Sequence, residues 1–375
     1  MGIPRMHPGI AARGHAPFLA TLVLLLLCGG IFAARSHRGA DALGPQAKSN
    51  ALPTGGRWVP TSLHANTTAM LIAPEQPLFM LAATTDGIWR STDGGATWSP
   101  DGTGLRGNPV FVLAGSPAGT ARWAGSFDGT VYARAAGKSV TWRRISSVLR
   151  TDPAIGVVPI YSLAASTSTG VVLLAGSQGA VFRGEPGATG RSWHWTQTWR
   201  WPGASGTVSS GAGAVTSLQV AKWDPRLVFA SVFGATPPVM VSRDGGRTWA
   251  SGAAGLPAIL PVQDLASGSP PNREVYLTTM GGGVWRRGAD GRWVDVSAGM
   301  PQRHAMALLA AGSGTLYAGT MSLGVYEKQG AGPWRPLGSG LRGPAATVMD
   351  LVETPGAHPV LLAATTQGVY RYIPD

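Results

Sequence analysis

Carboxylates are scarce in this 375-residue chain, 18 against 30 lysines and arginines. The places where they fall in a pattern are therefore the first to question for chemistry. Asp93 and Asp244 occupy the same position in two copies of one phrase, Ser91 to Trp98 (STDGGATW) and Ser242 to Trp249 (SRDGGRTW). Asp264 and Asp350 sit at equivalent positions in two apolar runs, VQDL and VMDL. Paired carboxyl groups are what a glycoside hydrolase needs, held close together for retention or further apart for inversion. An aspartate beside glycines serves a turn instead, its carboxylate accepting hydrogen bonds from turn amides while glycine supplies positive φ. Neither copy of the phrase carries an acid or base partner in sequence. Ser91, Asp93, Gly95, Thr97 and Trp98, and likewise Ser242, Asp244, Gly246, Thr248 and Trp249, are therefore expected to be structural.

Other chemistries find no support. The seven histidines form no H-E-x-x-H phrase or close pair, so neither a metal nor a cofactor is expected. No nucleophile-elbow phrase brings Ser, His and Asp into a hydrolase pattern. Gly137-Lys138-Ser139 lacks the first Walker glycine, because Tyr132 stands in its place. The net charge of +12 admits a polyanionic partner. Lysine occurs only at 48, 138, 222 and 328, however, and the arginines are scattered without a run. A dispersed positive surface is expected, not a nucleic-acid interface.

The elements that must position these residues come from repetition. With 54 glycines, 29 prolines and 13% charged residues, the composition suits short strands and tight turns. Seven units start near Ala69, Pro109, Pro159, Ala214, Pro261, His304 and Thr347, spaced roughly 40 to 55 residues apart. Each reads as an apolar strand, a second strand ending in small residues, a Gly-aromatic third strand, a turn and a Trp-led fourth strand. Where the turn loses its acid, as in Gly330-Ala331-Gly332, the tryptophan stays, as Trp334. The pattern predicts an all-β chain folded as a seven-bladed β-propeller of four-stranded blades. The last unit lacks its fourth strand, and Gly55 to Leu63 matches the missing piece, so an N-terminal strand is expected to complete that blade. Aligning the units on the leucine of VMDL places Met70, Val112, Ser162, Ser217, Asp264, Ala307 and Asp350 on innermost strands. Met70, Ser162, Ser217, Asp264 and Asp350 are the channel-facing binding candidates. The two acids there are expected to bond backbone amides or water where the strands converge.

Pro17 to Ala34 is nearly continuous apolar sequence preceded by Arg5 and Arg13. It reads as a signal anchor or signal peptide over 1–34, followed by a flexible linker over 35–54 and the propeller over 55–375. The chain is thus expected to be membrane-anchored through 17–34 and facing the extracytoplasmic side, or secreted. Cys28, the only cysteine, lies in the apolar stretch, so no intramolecular disulfide can form; Leu25-Leu26-Leu27-Cys28 places a bulky leucine where lipoprotein signals have a small residue.

The phrases STDGGATW and SRDGGRTW resemble the Asp-box, or BNR, repeat of WD40/YVTN/BNR-like propellers. Sialidases, sortilin-type propellers, xyloglucan-degrading glycosidases and photosystem II assembly factors share that repeat. The resemblance implies a propeller over about 55–375, with the Asp-box on a hairpin at the blade periphery. The Arg-Ile-Pro segment of sialidases is missing. The expected function is a non-catalytic, monomeric module that binds an unidentified protein or other surface partner. The alternative is an Asp-box glycoside hydrolase using Asp264 and Asp350.

Overall fold

The computed structural model describes residues 54–375 except 106, 136–140, 151–157, 168–169, 204–212, 270–272 and 357. The expected apolar segment over 1–34 and the linker up to residue 53 lie outside the described residues. Among the described residues no helix is long and apolar enough to cross a membrane.

Strand β1 (Thr54–Pro60) comes first, and antiparallel four-stranded meanders follow. These are β2 (Thr67–Ala73), β3 (Gln76–Thr84), β4 (Gly87–Ser91) and β5 (Ser99–Pro100), then β6 (Val110–Gly115), β7 (Ala121–Ser126), β8 (Val131–Ala135) and β9 (Arg143–Arg144). The third comprises β10 (Ser162–Ser166), β11 (Val172–Ser177), β12 (Ala180–Pro186) and β13 (Trp193–Arg200), and the fourth β14 (Val215–Ala221), β15 (Asp224–Val232), β16 (Val239–Ser242) and β17 (Ala250–Ser251). The fifth comprises β18 (Val262–Ser267), β19 (Val275–Thr279), β20 (Gly283–Arg287) and β21 (Trp293–Asp295). Then come β22 (Ala305–Ala310), β23 (Thr315–Thr320), β24 (Val325–Gln329) and β25 (Arg335–Ser339), followed by β26 (Val348–Glu353), β27 (Leu361–Thr365) and β28 (Gly368–Ile373).

The first five meanders are separate four-stranded sheets, while the last two share one eight-stranded sheet in the order β22-β23-β24-β25-β1-β28-β27-β26. The first strand of each meander packs on the first strand of the next, and β26 packs on β2, so the inner strands form a ring. The fold is therefore all-β and propeller-like, with four-stranded blades and, among the described residues, a single short 3-10 turn at Gly343–Ala346. In place of seven separate equal units, the last two are joined through β1.

Packing between blades follows from their convergence on an axis. Near the axis there is little room, and second strands such as β19 and β27 are buried along their whole length. Small residues fill that space: Ala82, Ala83, Ala124, Ala175, Ala363 and Ala364 are fully buried. A Cβ on Gly125 would meet Ile160 at 2.7 Å, and one on Gly319 would meet Val348 at 2.6 Å, both on the following blade. Further out the gap widens, and tryptophan bridges it. The indole N–H of Trp142 donates to Asp101 O at 3.0 Å, Trp195 to Ile145 O at 3.0 Å, Trp293 to Gly252 O at 2.8 Å and Trp334 to Val296 O at 2.9 Å. Each acceptor lies at the outer strand of the preceding blade. Just beyond it stands a glycine of positive φ, such as Gly104, whose Cβ would lie 2.2 Å from Trp142 O. Gly255, Gly299 and Gly340 repeat that approach to Trp293, Trp334 and Trp58.

Strand β1 obeys the same rule. It pairs antiparallel with β28, Trp58 opposite Tyr372, and parallel with β25, Arg57 opposite Ser339. Buried Trp58 donates its indole N–H to Leu337 O at 2.9 Å, as the other tryptophans do to their preceding blades. Deleting residues 55–63 should lower the calorimetric midpoint of the whole domain, and Trp58→Ala should cost roughly 3–5 kcal/mol, the usual loss for a core tryptophan. An unchanged midpoint in either variant would contradict the closure.

Candidate functional site

The Asp phrases form the turns after β4 and β16, remote from the inner strands. Asp93 Oδ1 accepts Ser91 Oγ at 2.7 Å and Thr97 N at 2.9 Å, and its Oδ2 accepts Thr97 Oγ1 at 2.5 Å. Asp244 repeats the set with Ser242 Oγ at 2.7 Å, Thr248 N at 3.0 Å and Thr248 Oγ1 at 2.5 Å. Slight burial would raise both carboxyls, but the Thr hydroxyl, turn amides and Ser hydroxyl outweigh it and hold each down to about 2. A carboxylate so saturated is a turn device. Gly95 and Gly246 abut the preceding blade, where a Cβ would lie 2.3 Å from Leu362 and 2.5 Å from Leu174. Trp98 is buried and Trp249 half-buried against that same neighbour.

The channel is built differently. Six of the inner strands carry a β-bulge at the same place, after Thr67, Val110, Val215, Val262, Ala305 and Val348. A bulge inserts one residue and re-aims its side chain. The inserted residues, Thr68, Phe111, Thr216, Gln263, Met306 and Met349, all line a cavity of about 300 Å³ at the centre of the ring, together with Tyr161, which precedes β10. Phe111 and Tyr161 meet edge to face with centroids 5.7 Å apart. The sequence reading missed these residues. The only trace of them is that all but Thr68 directly precede the aligned inner-strand position and that they vary in type within otherwise apolar runs.

All five of the predicted channel residues, Met70, Ser162, Ser217, Asp264 and Asp350, line this cavity. Met70 holds a different register position from the other four. The register sets Ala69 opposite Ala83 as Asp350 is opposite Ala364, so Ala69 is the counterpart of Asp350 and Met70 that of Leu351. Its side chain is buried with Met80 and Leu362, and only its backbone N–H serves the channel acid. Alignment on leucine slipped by one because β2 has a leucine one residue later than its siblings.

The two channel acids make twin bridges. Asp264 accepts Leu265 N at 2.8 Å and Ser217 Oγ at 3.0 Å on Oδ1, and Leu308 N at 3.0 Å on Oδ2. Asp350 accepts Leu351 N at 2.8 Å on Oδ1 and Met70 N at 2.7 Å on Oδ2. Each therefore joins its own inner strand to the next one around the ring. Ser162 Oγ does likewise by donating to Val215 O at 2.7 Å, as Thr216 Oγ1 does to Val262 O at 2.9 Å. The carboxylates retain some exposed surface toward the cavity, yet protein encloses them, and desolvation dominates their ionisation. Burial pushes Asp264 up to about 6 against three opposing hydrogen bonds. It pushes Asp350 up to about 7, against the bond from Met70 and with the negative charge of Asp264 adding to the rise. No lysine or arginine lines the cavity, and no group of three or more His, Cys, Asp or Glu able to hold a metal occurs among the described residues.

No family model matches the chain, and no curated protein matches its sequence. Solved structures do match its shape. A WD40 β-propeller domain, that of Doa1, superposes with a TM-score of 0.58 at 9% identity, over 84% of this chain and 96% of that one. The fold is that of a β-propeller. Asp-box-type structures agree: the GH74 xyloglucanase from Xanthomonas campestris matches with a TM-score of 0.61 at 20% identity, over 84% of this propeller and 53% of the enzyme. The extracellular domain of a putative one-component system from B. thetaiotaomicron matches with a TM-score of 0.59 at 13% identity, over 86% and 40% respectively. The propeller thus spans about half or less of the length of those two proteins.

The channel acids give a sign to the pH dependence. Asp350 moves from 3.8 to about 7 on folding, so the folded chain binds the proton more tightly and the stability this group contributes falls as pH rises from about 4 to about 7. Asp93 and Asp244, held down, contribute stability above about pH 4 that is lost as pH falls toward 2. In calorimetry of wild type and Asp350→Asn from pH 4 to 8, the wild type's midpoint relative to the variant should be highest near pH 4 and decline to a plateau above 7. A relative midpoint that rises with pH would refute the assignment.

Proposed function

We propose that this chain is a non-catalytic, extracytoplasmic propeller that binds a protein or other surface partner. In this reading it is a closed seven-bladed ring: β22 to β25 are the sixth blade, and β26 to β28 with β1 are the seventh. Residues 17–34 tether it to the membrane or direct its export. The observation that supports the reading best is the use of the channel acids. Both oxygens of Asp264 and of Asp350 accept backbone N–H groups that join neighbouring blades, which is structural work of the kind Asp93 does in its turn.

A second reading, glycoside hydrolysis by Asp264 and Asp350, draws on two observations. The carboxyls are pushed up to about 6 and about 7, the range of a general acid near neutrality. The fold also superposes on a GH74 xyloglucanase. The two readings separate by assay of the full-length protein on xyloglucan and a polysaccharide panel. No turnover is expected. Turnover by wild type that disappears in both Asp264→Asn and Asp350→Asn would establish the hydrolase instead. Tethering is checked by fractionating cells that express the full chain or a chain lacking 17–34. The full chain should sediment with membranes or leave the cell, and the shortened one should stay in the cytosol.

A further inference from the structure

The channel holds an imbalance that its structural bonds leave unresolved. The chain carries an excess of basic residues, and acids elsewhere in the molecule use them: buried Asp101 meets buried Arg134 at 2.5 Å, Arg122 meets Glu75, and Asp295 meets Arg303 at 2.6 Å. Asp264 and Asp350 share one central cavity, and no lysine or arginine among the described residues lines it. A buried carboxylate without a countercharge is costly. Their acceptor capacity is also unfilled. A carboxylate offers about four lone-pair sites. Asp264 accepts three hydrogen bonds and Asp350 two, which leaves about one and about two open. Three is the number of donors on a primary ammonium.

Beside its hydroxyl and amide side chains, the wall has an apolar part. Met306, Met349, Phe111 and Tyr161 line the cavity and belong to one contiguous cluster. Methionine adapts to irregular guests, and aromatic faces attract cations. Gln263, beside Asp264, also lines the cavity. About 300 Å³ is the lower end of the range for small-molecule sites.

We propose that the central cavity binds a primary ammonium on an apolar stem, its nitrogen against Asp350 and Asp264 and its stem between Phe111, Tyr161, Met306 and Met349. The ammonium supplies the missing countercharge, and the stem displaces water from the methionine and aromatic wall. Two sources carry this chemistry, a free amine and the side chain of a lysine on a protein. The site stands whether or not the propeller also has a partner on its outer surface.

The test uses full-length protein with 13C-methyl-labelled methionine, its Met306 and Met349 signals assigned through Met306→Leu and Met349→Leu. Phenethylamine, N-acetyl-lysine amide and the neutral phenethyl alcohol are titrated in turn. Phenethylamine should shift both methyl signals saturably, with affinity at least tenfold above that of the alcohol, and Asp350→Asn should lose at least tenfold. A lysine amide that binds more tightly than phenethylamine marks a protein side chain as the source; the reverse marks a free amine. Should Asp350→Asn not fold, Met349→Lys places a tethered ammonium in the cavity and should abolish phenethylamine binding. Equal binding of amine and alcohol, undiminished binding by either variant, or no saturable shift with either amine would overturn the proposal. Polysaccharide turnover would sink the non-catalytic reading without touching this one.

Discussion

Everything in this molecule depends on filling a wedge. Blades arranged around an axis are crowded inside and parted outside, and each must touch its neighbour at both radii to exclude water. The chain meets the inner limit with alanine and glycine on second strands and the outer one with a tryptophan whose indole N–H reaches the preceding blade. That single donor both buries a large apolar surface and satisfies a carbonyl where the short outer strands leave backbone groups unpaired. It recurs at Trp58, Trp142, Trp195, Trp293 and Trp334. At Trp249 the indole finds the Thr198 hydroxyl of the preceding blade at 3.2 Å, and at Trp98 it turns back to Gly95 O at 3.1 Å. The contact survives in units that have lost the Asp phrase, because the gap between blades remains when the turn changes.

The inner edge poses the complementary problem. The first strand of each blade has no further strand to pair with, so N–H and C=O groups face the channel. Short side chains from the neighbouring blade answer them, Asp264 and Asp350 for donors, Ser162 and Thr216 for acceptors. Carboxylates do this well because one group can accept from two strands at once. The consequence is two acids in a low-dielectric channel, raised by their own burial. A structural solution has thereby brought two raised carboxyls into one cavity, and the bulges that set the adjacent side chains around it give that place its walls.

Much of this was legible beforehand. The repeat, the turn chemistry of Asp93 and Asp244, the bridging tryptophans and the match of Gly55–Leu63 to a missing strand all follow from local pattern, since each unit must present the same edges and faces. The bulge residues were not legible. A bulge is a slip between two strands, visible only when both are paired, whereas the alignment at Met70 slipped because β2 carries its leucine one residue later than its siblings. The parallel pairing of β1 with β25, which merges two blades into one sheet, was hidden for a similar reason: nothing in residues 54–60 specifies a second partner.

The sequence by itself determined the class of the fold and the roles of its turns, because these rest on residue types at short, repeated spacings. Only the tertiary structure decided what faces the channel. The order of side chains along each inner strand is fixed by the chain, but their aim is set by bulges and by the closing of the ring. Two aspartates 86 positions apart share one cavity solely because the first strands of the blades meet around one axis.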